Sequence, residues 1–208
     1  MQLSTQIQDE KTKLFPEIKL TNDCHIITLL AGEKGIGKTS TFLSLLWAFK
    51  WRNLQVDFLN LDKQSTVDYS VPKGRSPDFI LVNCPSGYSD VALPYIKLAS
   101  FNIVLTSSNN ITSICSAYDI IKLFLKVLGE KIEFCNLMRS NLTSEQNIDL
   151  YEKLNTTVQK YTLSRLEYLG SIPCNNALQA YLKDINREES MLGDILSPYF
   201  SIVSQLVD

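Results

Sequence analysis

The chain has 208 residues, 45% hydrophobic and 20% charged, a balance that suits one globular domain with a real core, or at most a domain with a short appendage, and excludes a disordered chain. Its formal net charge of -2 excludes a global electrostatic pull towards nucleic acid or anionic lipid. Its cysteines, Cys24, Cys84, Cys115, Cys135 and Cys174, are scattered and never form a C-x-x-C pair, which fits reduced thiols and neither a zinc site nor a disulfide framework.

Residues 1–22 are polar and irregular, with Pro16 as a breaker, and read as an arm laid on the domain or left loose. They have neither the basic flank nor the apolar core of a signal peptide, and no apolar run in the chain approaches membrane-spanning length. A single domain is expected over 23–208. It starts with His25-Ile-Ile-Thr-Leu-Leu-Ala31, a nearly continuous apolar run of the kind found in a strand buried on both faces. Residues 39–51 then carry Phe42, Leu45, Leu46, Ala48 and Phe49 at helical spacing. Further strands are predicted at 55–61, 78–83, 101–106, 132–137 and 167–172. Helices are predicted near 89–99, 111–129, 144–163, 175–184 and 188–207. Strands alternating with helices imply βαβ units: an α/β fold with a mostly parallel sheet and helices on both faces. Residues 62–77, rich in Asp, Ser, Lys, Gly and Pro, read as a loop.

Between the first strand and the first helix lies Gly32-Glu-Lys-Gly-Ile-Gly37-Lys38-Thr39, which satisfies G-x-x-x-x-G-K-[ST] in the required strand–loop–helix setting. Glycines at 32, 35 and 37 let the backbone turn its N–H groups around phosphate oxygens, and the following helix adds its positive end. The candidate nucleotide contacts are Gly32, Lys34, Gly35, Ile36, Gly37, Lys38, Thr39 and Ser40. Lys38 is expected to reach the β- and γ-phosphates and the Thr39 hydroxyl to ligate magnesium.

With Asn60-Leu-Asp62 and Asp78-Phe-Ile-Leu-Val-Asn83-Cys-Pro85-Ser-Gly87 downstream, the chain resembles the MinD/ParA family of P-loop ATPases over about residues 24–190. Cys135-Asn136-Leu-Met-Arg139-Ser140, Leu150-Tyr-Glu-Lys-Leu154 and Leu166-Glu-Tyr-Leu-Gly170-Ser-Ile-Pro173 look like the FlhG (FleN, YlxH) branch, whose members control flagellar number and placement in bacteria. The resemblance implies ATP or ADP with magnesium as cofactor, and a homodimer. It also implies a protein partner, such as an FlhF-like GTPase or another flagellar or polar component. It places Asn136, Pro173 and the segment just after Pro173 along the adenine pocket, and Asp62 as the carboxylate that positions water, catalytic together with Lys38.

Several positions depart from the family pattern. Glu33 stands where the family carries a lysine that crosses a dimer interface, and a carboxylate near polyphosphate is repulsive. Lys34, one place along, points elsewhere than that lysine would. Asn60, Asn83 and Asn175 stand where aspartates are expected, keeping shape but removing the charge that binds a hard cation or orients water. The stretch from Asn60 to Asp78 is also too short for the switch segment, helix and strand of MinD-like proteins, and fits a partition-type layout better.

Leu192, Ile195, Leu196, Tyr199, Ile202, Val203 and Leu206 form a broad helical stripe. The polar side carries Asp194, Ser197, Ser201 and Ser204 without the Lys and Arg of an interfacial helix, and Pro198 interrupts it. Packing on its own domain or a partner is therefore preferred to membrane attachment. Trp47 and Trp51, with Lys50 and Arg52, are read as core packing at a basic helix end, because a DNA-binding patch needs more clustered cations. His25 is read as structural and Cys84 as a weak nucleophile candidate. Two functions compete. One is a degenerate, nucleotide-holding scaffold or pseudo-ATPase; the other is an ATP-hydrolysing dimeric switch, and Glu33, Asn60 and Asn83 favour the first. A third, DNA partition, is disfavoured by the charge distribution. The expected location is cytoplasmic, with the resemblance adding a peripheral place at the inner membrane or cell pole.

Overall fold

The computed structural model describes residues 9–15, 23–62, 76–129, 132–162, 164–183 and 189–207. Six strands form one all-parallel sheet: β1 (His25–Ala31), β2 (Val56–Asn60), β3 (Phe79–Ser86), β4 (Phe101–Ser107), β5 (Phe134–Arg139) and β6 (Leu166–Ile172). Their order across the sheet is β2-β3-β1-β4-β5-β6. The helices are α1 (Lys38–Trp51), α2 (Leu93–Leu98), α3 (Ile111–Leu128), α4 (Ser144–Thr162), α5 (Ala177–Lys183) and α6 (Glu189–Val207), with a 3-10 turn at Asp90–Ala92 ahead of α2. The architecture expected from the sequence, a parallel sheet with helices on both faces, is the one observed.

Strand side chains alternate between two cores. Ile27, Leu29, Ala31, Leu81, Ile103, Leu105, Cys135 and Leu137 meet α1, α5 and α6 on one face. Ile26, Leu30, Ile80, Val82, Cys84, Val104, Phe134 and Met138 meet α2, α3 and α4 on the other. This period of two decides which residues can reach the site. Asn83 and Arg139 share parity with the residues facing α1, whereas Cys84 and Asn136 share it with those facing α3 and α4. Two polar side chains within the second core are paired: the Thr28 hydroxyl donates to Asn102 Oδ1 at 2.7 Å, and Asn102 Nδ2 donates to the Ile96 and Glu133 carbonyls. Pairing of this kind removes most of the cost of burying an amide.

The apolar stripe of α6 is buried against its own domain, with Leu192, Leu196, Tyr199, Ile202, Val203 and Leu206 all in the α1-side core. At the end of α1, Arg52 Nη1 donates to Ser204 Oγ of α6 at 2.8 Å. The expectation that Pro198 interrupts the helix is corrected, since α6 runs through it. Buried Leu196 and Tyr199 on either side hold that turn in place despite the missing N–H. Among the described residues, no helix is long and apolar enough to cross a membrane.

The irregular arm expected over 1–22 is also corrected in part. Residues 9–14 are helical. Phe15 is buried, edge-on to Tyr95 at 5.5 Å, and Lys11 Nζ donates to the Cys24 carbonyl at 2.8 Å. Residues 1–8 and 16–22, and most of the predicted loop at 62–77, lie outside the described residues. At the start of β1, His25 stacks on Phe79 and its Nδ1 lies 3.0 Å from Ser100 Oγ, a structural position at the end of the sheet opposite the glycine-rich loop.

Candidate functional site

β1 lies between β3 and β4, and the connections leaving β1 and β4 run to opposite faces of the sheet, as α1 and α3. Such a switch point opens a crevice at the carboxyl ends of the strands. The glycine-rich loop at 32–37 crosses this crevice. The cleft there measures about 720 Å³, within the range of small-molecule sites, and is lined by residues 33–40, Asp62, Ser86, Ser107, Asn109, Asn110, Arg139, Cys174 and Asn176.

Two glycines in the loop are required by geometry. Gly32 lies against α3, where a Cβ would collide with the backbone of Ser116. Gly37 caps α1 with φ 87° in the left-handed region, and a Cβ there would collide with the Arg139 guanidinium. Lys34 and Gly35 are exposed, Thr39 is half-buried and Ile36 is buried. The Ser40 hydroxyl is directed to Asn176 Oδ1 at 3.1 Å, which ties the start of α1 to the segment after β6.

Lys38 is 5% exposed, and its ammonium has three acceptors: Asp62 Oδ2 at 2.9 Å, Asn83 Oδ1 at 2.8 Å and the Cys84 carbonyl at 2.5 Å. An ammonium has three donors, so this set saturates it. Because Lys38 needs an oxygen from Asn83, the Asn83 amide nitrogen faces the other way and donates to Asn60 Oδ1 at 2.9 Å. The Asp62 N–H donates to the same Asn60 oxygen at 3.2 Å. Asn60 and Asn83, two of the three asparagines at expected acidic positions, thus form a hydrogen-bonded chain with Lys38 and Asp62. Two aspartates facing each other there would repel, whereas an amide can donate on one side and accept on the other.

Glu33 is held within its own chain. Its carboxylate accepts from Asn110 Nδ2 and from Thr112 Oγ1, both at 2.9 Å. Asn110 is the N-cap of α3, accepting from the Thr112 N–H, so Glu33 sits at the positive end of that helix, where a carboxylate is favoured. The residue expected to oppose phosphate instead fastens the loop to α3.

Other sequence-stated candidates fall elsewhere. Asn136 is fully buried on the α3–α4 side of β5, with Nδ2 donating to the Val104 carbonyl and Thr106 Oγ1, and it does not line the cleft. Pro173 does not line it either; the neighbouring Cys174 and Asn176 do. Alternation along β5 turns Asn136 away from the α1 face, so it stands apart from this cleft. Cys84 lies in the α3-side core, and burial pushes its thiol up to about 12, an inert group. The residue that sequence reasoning missed is Arg139, at the end of β5. Its Nη1 donates to the Ile36 carbonyl at 2.7 Å and its Nη2 to the Asn175 carbonyl at 2.8 Å. The available signal was a cation closing a buried strand, three residues after Asn136 and so of opposite parity.

These groups fit a phosphate chain better than the metal that accompanies it. The glycine turns, the N-terminal end of α1 and the cations of Lys34, Lys38 and Arg139 suit an anion. Thr39 and Asp62 are the residues that would hold magnesium, but Asp62 is ion-paired with Lys38 and the amide oxygens of Asn60 and Asn83 are already engaged. Among the described residues, no cluster of three or more His, Cys, Asp or Glu is placed to hold a metal.

No protein-family model and no curated protein matches the chain. Solved structures do. MinD cell division protein of Aquifex aeolicus superposes with a TM-score of 0.64 at 14% identity, over 88% of this chain and 96% of that one. pNOB8 ParA bound to nonspecific DNA also gives 0.64, at 9% identity, over 88% and 99%. A putative plasmid partition protein of Borrelia burgdorferi bound to AMPPNP gives 0.56 at 13% identity, over 89% and 98%. At such identities the likeness establishes the fold: the chain has the P-loop architecture of the MinD and ParA proteins.

Proposed function

We propose that this protein is a nucleotide-binding regulator of the MinD/ParA type that holds ATP or ADP at Gly32–Ser40 with weak or absent hydrolysis, acting as a scaffold for a protein partner. The observation that carries this reading is the saturation of Lys38 by Asp62, Asn83 and the Cys84 carbonyl. A phosphate chain that recruits Lys38 must displace these acceptors. The carboxylates that would organise magnesium and attacking water are reduced to Asp62 alone. Losing even about 3 kcal/mol of transition-state stabilisation slows a reaction more than a hundredfold. The AMPPNP carried by the Borrelia burgdorferi protein supports an adenine nucleotide as the ligand class.

Calorimetric titration with ATP, ADP and GTP, with and without magnesium, tests the proposal together with a steady-state ATPase assay. Binding with little magnesium dependence and negligible turnover is expected. A hydrolysis rate typical of the fold's ATPases, abolished by Lys38→Ala, would overturn it. The second reading, an ATP-hydrolysing dimeric switch, is favoured by one feature: Asp62 lines the cleft as a carboxylate able to position water. DNA partition draws on the ParA complex with DNA, but the net charge of -2 and the lack of clustered cations weigh against it. The FlhG-like run Leu166–Pro173 supports a narrower partner class, a flagellar or polar component such as an FlhF-like GTPase. Failure to alter such a GTPase's rate in a reconstituted mixture would remove that refinement alone.

A further inference from the structure

Arg139 is 7% exposed, and the two acceptors of its guanidinium are neutral carbonyls. Its Nε is buried without a partner. The single ion pair formed among the described residues is Lys38–Asp62, so the Arg139 charge has no carboxylate counterpart there. A buried guanidinium held only by dipoles is a costly arrangement, and burial is normally relieved by an anion. The cleft's two carboxylates are directed elsewhere, Asp62 to Lys38 and Glu33 to Asn110 and Thr112. The guanidinium instead lies against Gly37, which has no side chain to separate it from the N-terminal end of α1. Two positive elements, the cation and the helix end, therefore converge on one point of the cleft wall.

We propose that Arg139 is the charge partner of the ligand's polyphosphate, a cation supplied in cis that takes the role Lys38 cannot fill while it is paired with Asp62. A phosphate oxygen is both the acceptor and the charge that Arg139 lacks. Charge-assisted contacts of guanidinium with phosphate are among the strongest polar contacts available. Through Ile36 and Asn175, the same side chain would also report phosphate occupancy to the segment after β6. This proposal rests on the nucleotide reading above.

The test compares wild type, Arg139→Gln and Arg139→Lys by calorimetry against ATP, inorganic pyrophosphate and adenosine, with folding checked by thermal denaturation. Arg139→Gln is expected to weaken ATP and pyrophosphate by at least about tenfold and leave adenosine unchanged, with Arg139→Lys intermediate. Equal affinities in wild type and Arg139→Gln would overturn the proposal, as would a loss of the same size for adenosine, which a merely structural bracket would produce. In wild type, pyrophosphate is expected to shift the Arg139 Nε–H resonance, assigned as the peak absent from Arg139→Lys. An unmoved resonance in the presence of bound pyrophosphate sinks the proposal even where Arg139→Gln fails to fold. Absence of all binding to wild type instead removes the nucleotide reading, and this inference with it.

Discussion

The two flanks of the glycine-rich loop treat charge in opposite ways. On the β2–β3 flank, Lys38 is paired with Asp62 and Asn83, and Asn83 in turn with Asn60. On the β4–β5 flank, Glu33 is drawn onto the start of α3, and Arg139 is left facing the cleft with only carbonyls for company. The first flank is where metal and water chemistry would be organised, and its lysine already has a full set of acceptors. The second is where an anion would find an unbalanced cation. Holding a ligand and acting on it need different residues, and the proposed holding role rests on this difference between the flanks.

The largest expected effect comes from the point where the flanks meet. Gly37→Val forces a β-branched residue to φ 87° and drives its Cβ into Arg139, so unfolding in urea should show a loss of about 3 kcal/mol or more. Retention of wild-type stability would mean that the cap relaxes freely and the flanks are not coupled. Next, Lys38→Met removes the cation from between Asp62 and Asn83 and breaks its three hydrogen bonds, with an expected cost of about 2–3 kcal/mol in the same assay. An unchanged midpoint would show that the lysine is not structurally engaged.

Asn83→Asp tests whether the β2–β3 flank can be returned to metal binding. It keeps an acceptor for Lys38 but turns a carboxylate oxygen towards Asn60, and magnesium should then strengthen ATP binding by about tenfold. No gain in magnesium dependence would show that the amide is not what limits the site. Glu33→Gln removes a negative charge from the other flank. Nucleotide affinity should rise about threefold while stability falls by about 0.5 kcal/mol, the worth of a carboxylate at a helix start. A fall in affinity would instead assign Glu33 a direct role in holding the ligand.

The smallest effect concerns the buried thiols. Burial raises Cys24 to about 11 and Cys84 and Cys135 to about 12, above the ordinary value of 9.0. Their folded pKa values lie above the unfolded ones, so their contribution to stability is complete below about pH 9. It is lost as pH climbs from 9 through 11 and 12. At pH 8, alkylation should reach exposed Cys115 and, more slowly, Cys174, whose labelling a nucleotide in the cleft should slow. Rapid labelling of Cys84 in the folded protein would contradict its place in the α3-side core.

Much of the fold is legible in the sequence because its strands are buried on both faces. Runs such as Ile26–Ala31 leave no other interpretation at that length, and the stripe from Leu192 to Leu206 carries a helical period. The glycine-rich loop is legible for a similar reason, since strand, loop and helix follow without a gap. The facing of Asn136 is not legible in its motif, which gives position along a strand but not which side of it is turned to the cleft; alternation from Cys135 and Leu137 puts it on the α3–α4 side. Arg139 went unnoticed because a cation at a strand end reads as solvated until Gly37 and Ile36 are brought against it. The helical turn at 9–14 was missed because its anchors lie outside it, Phe15 on Tyr95 and Lys11 on the Cys24 carbonyl.

The amino-acid sequence by itself determines the alternation of strands and helices, the phosphate loop between the first pair, and the replacement of acids by Asn60 and Asn83. These are matters of spacing and residue type along neighbouring positions. Only the tertiary structure decides which charge meets which. Lys38 finds Asp62 across 24 residues of chain, Glu33 finds Asn110 across 77, and Arg139 finds Ile36 across 103. Electrostatic pairing depends on distances through space and on what burial excludes, and no local pattern records either. The sheet order brings β3 and β4 to the two sides of β1, and from that placement one cation is neutralised and the other left to a ligand.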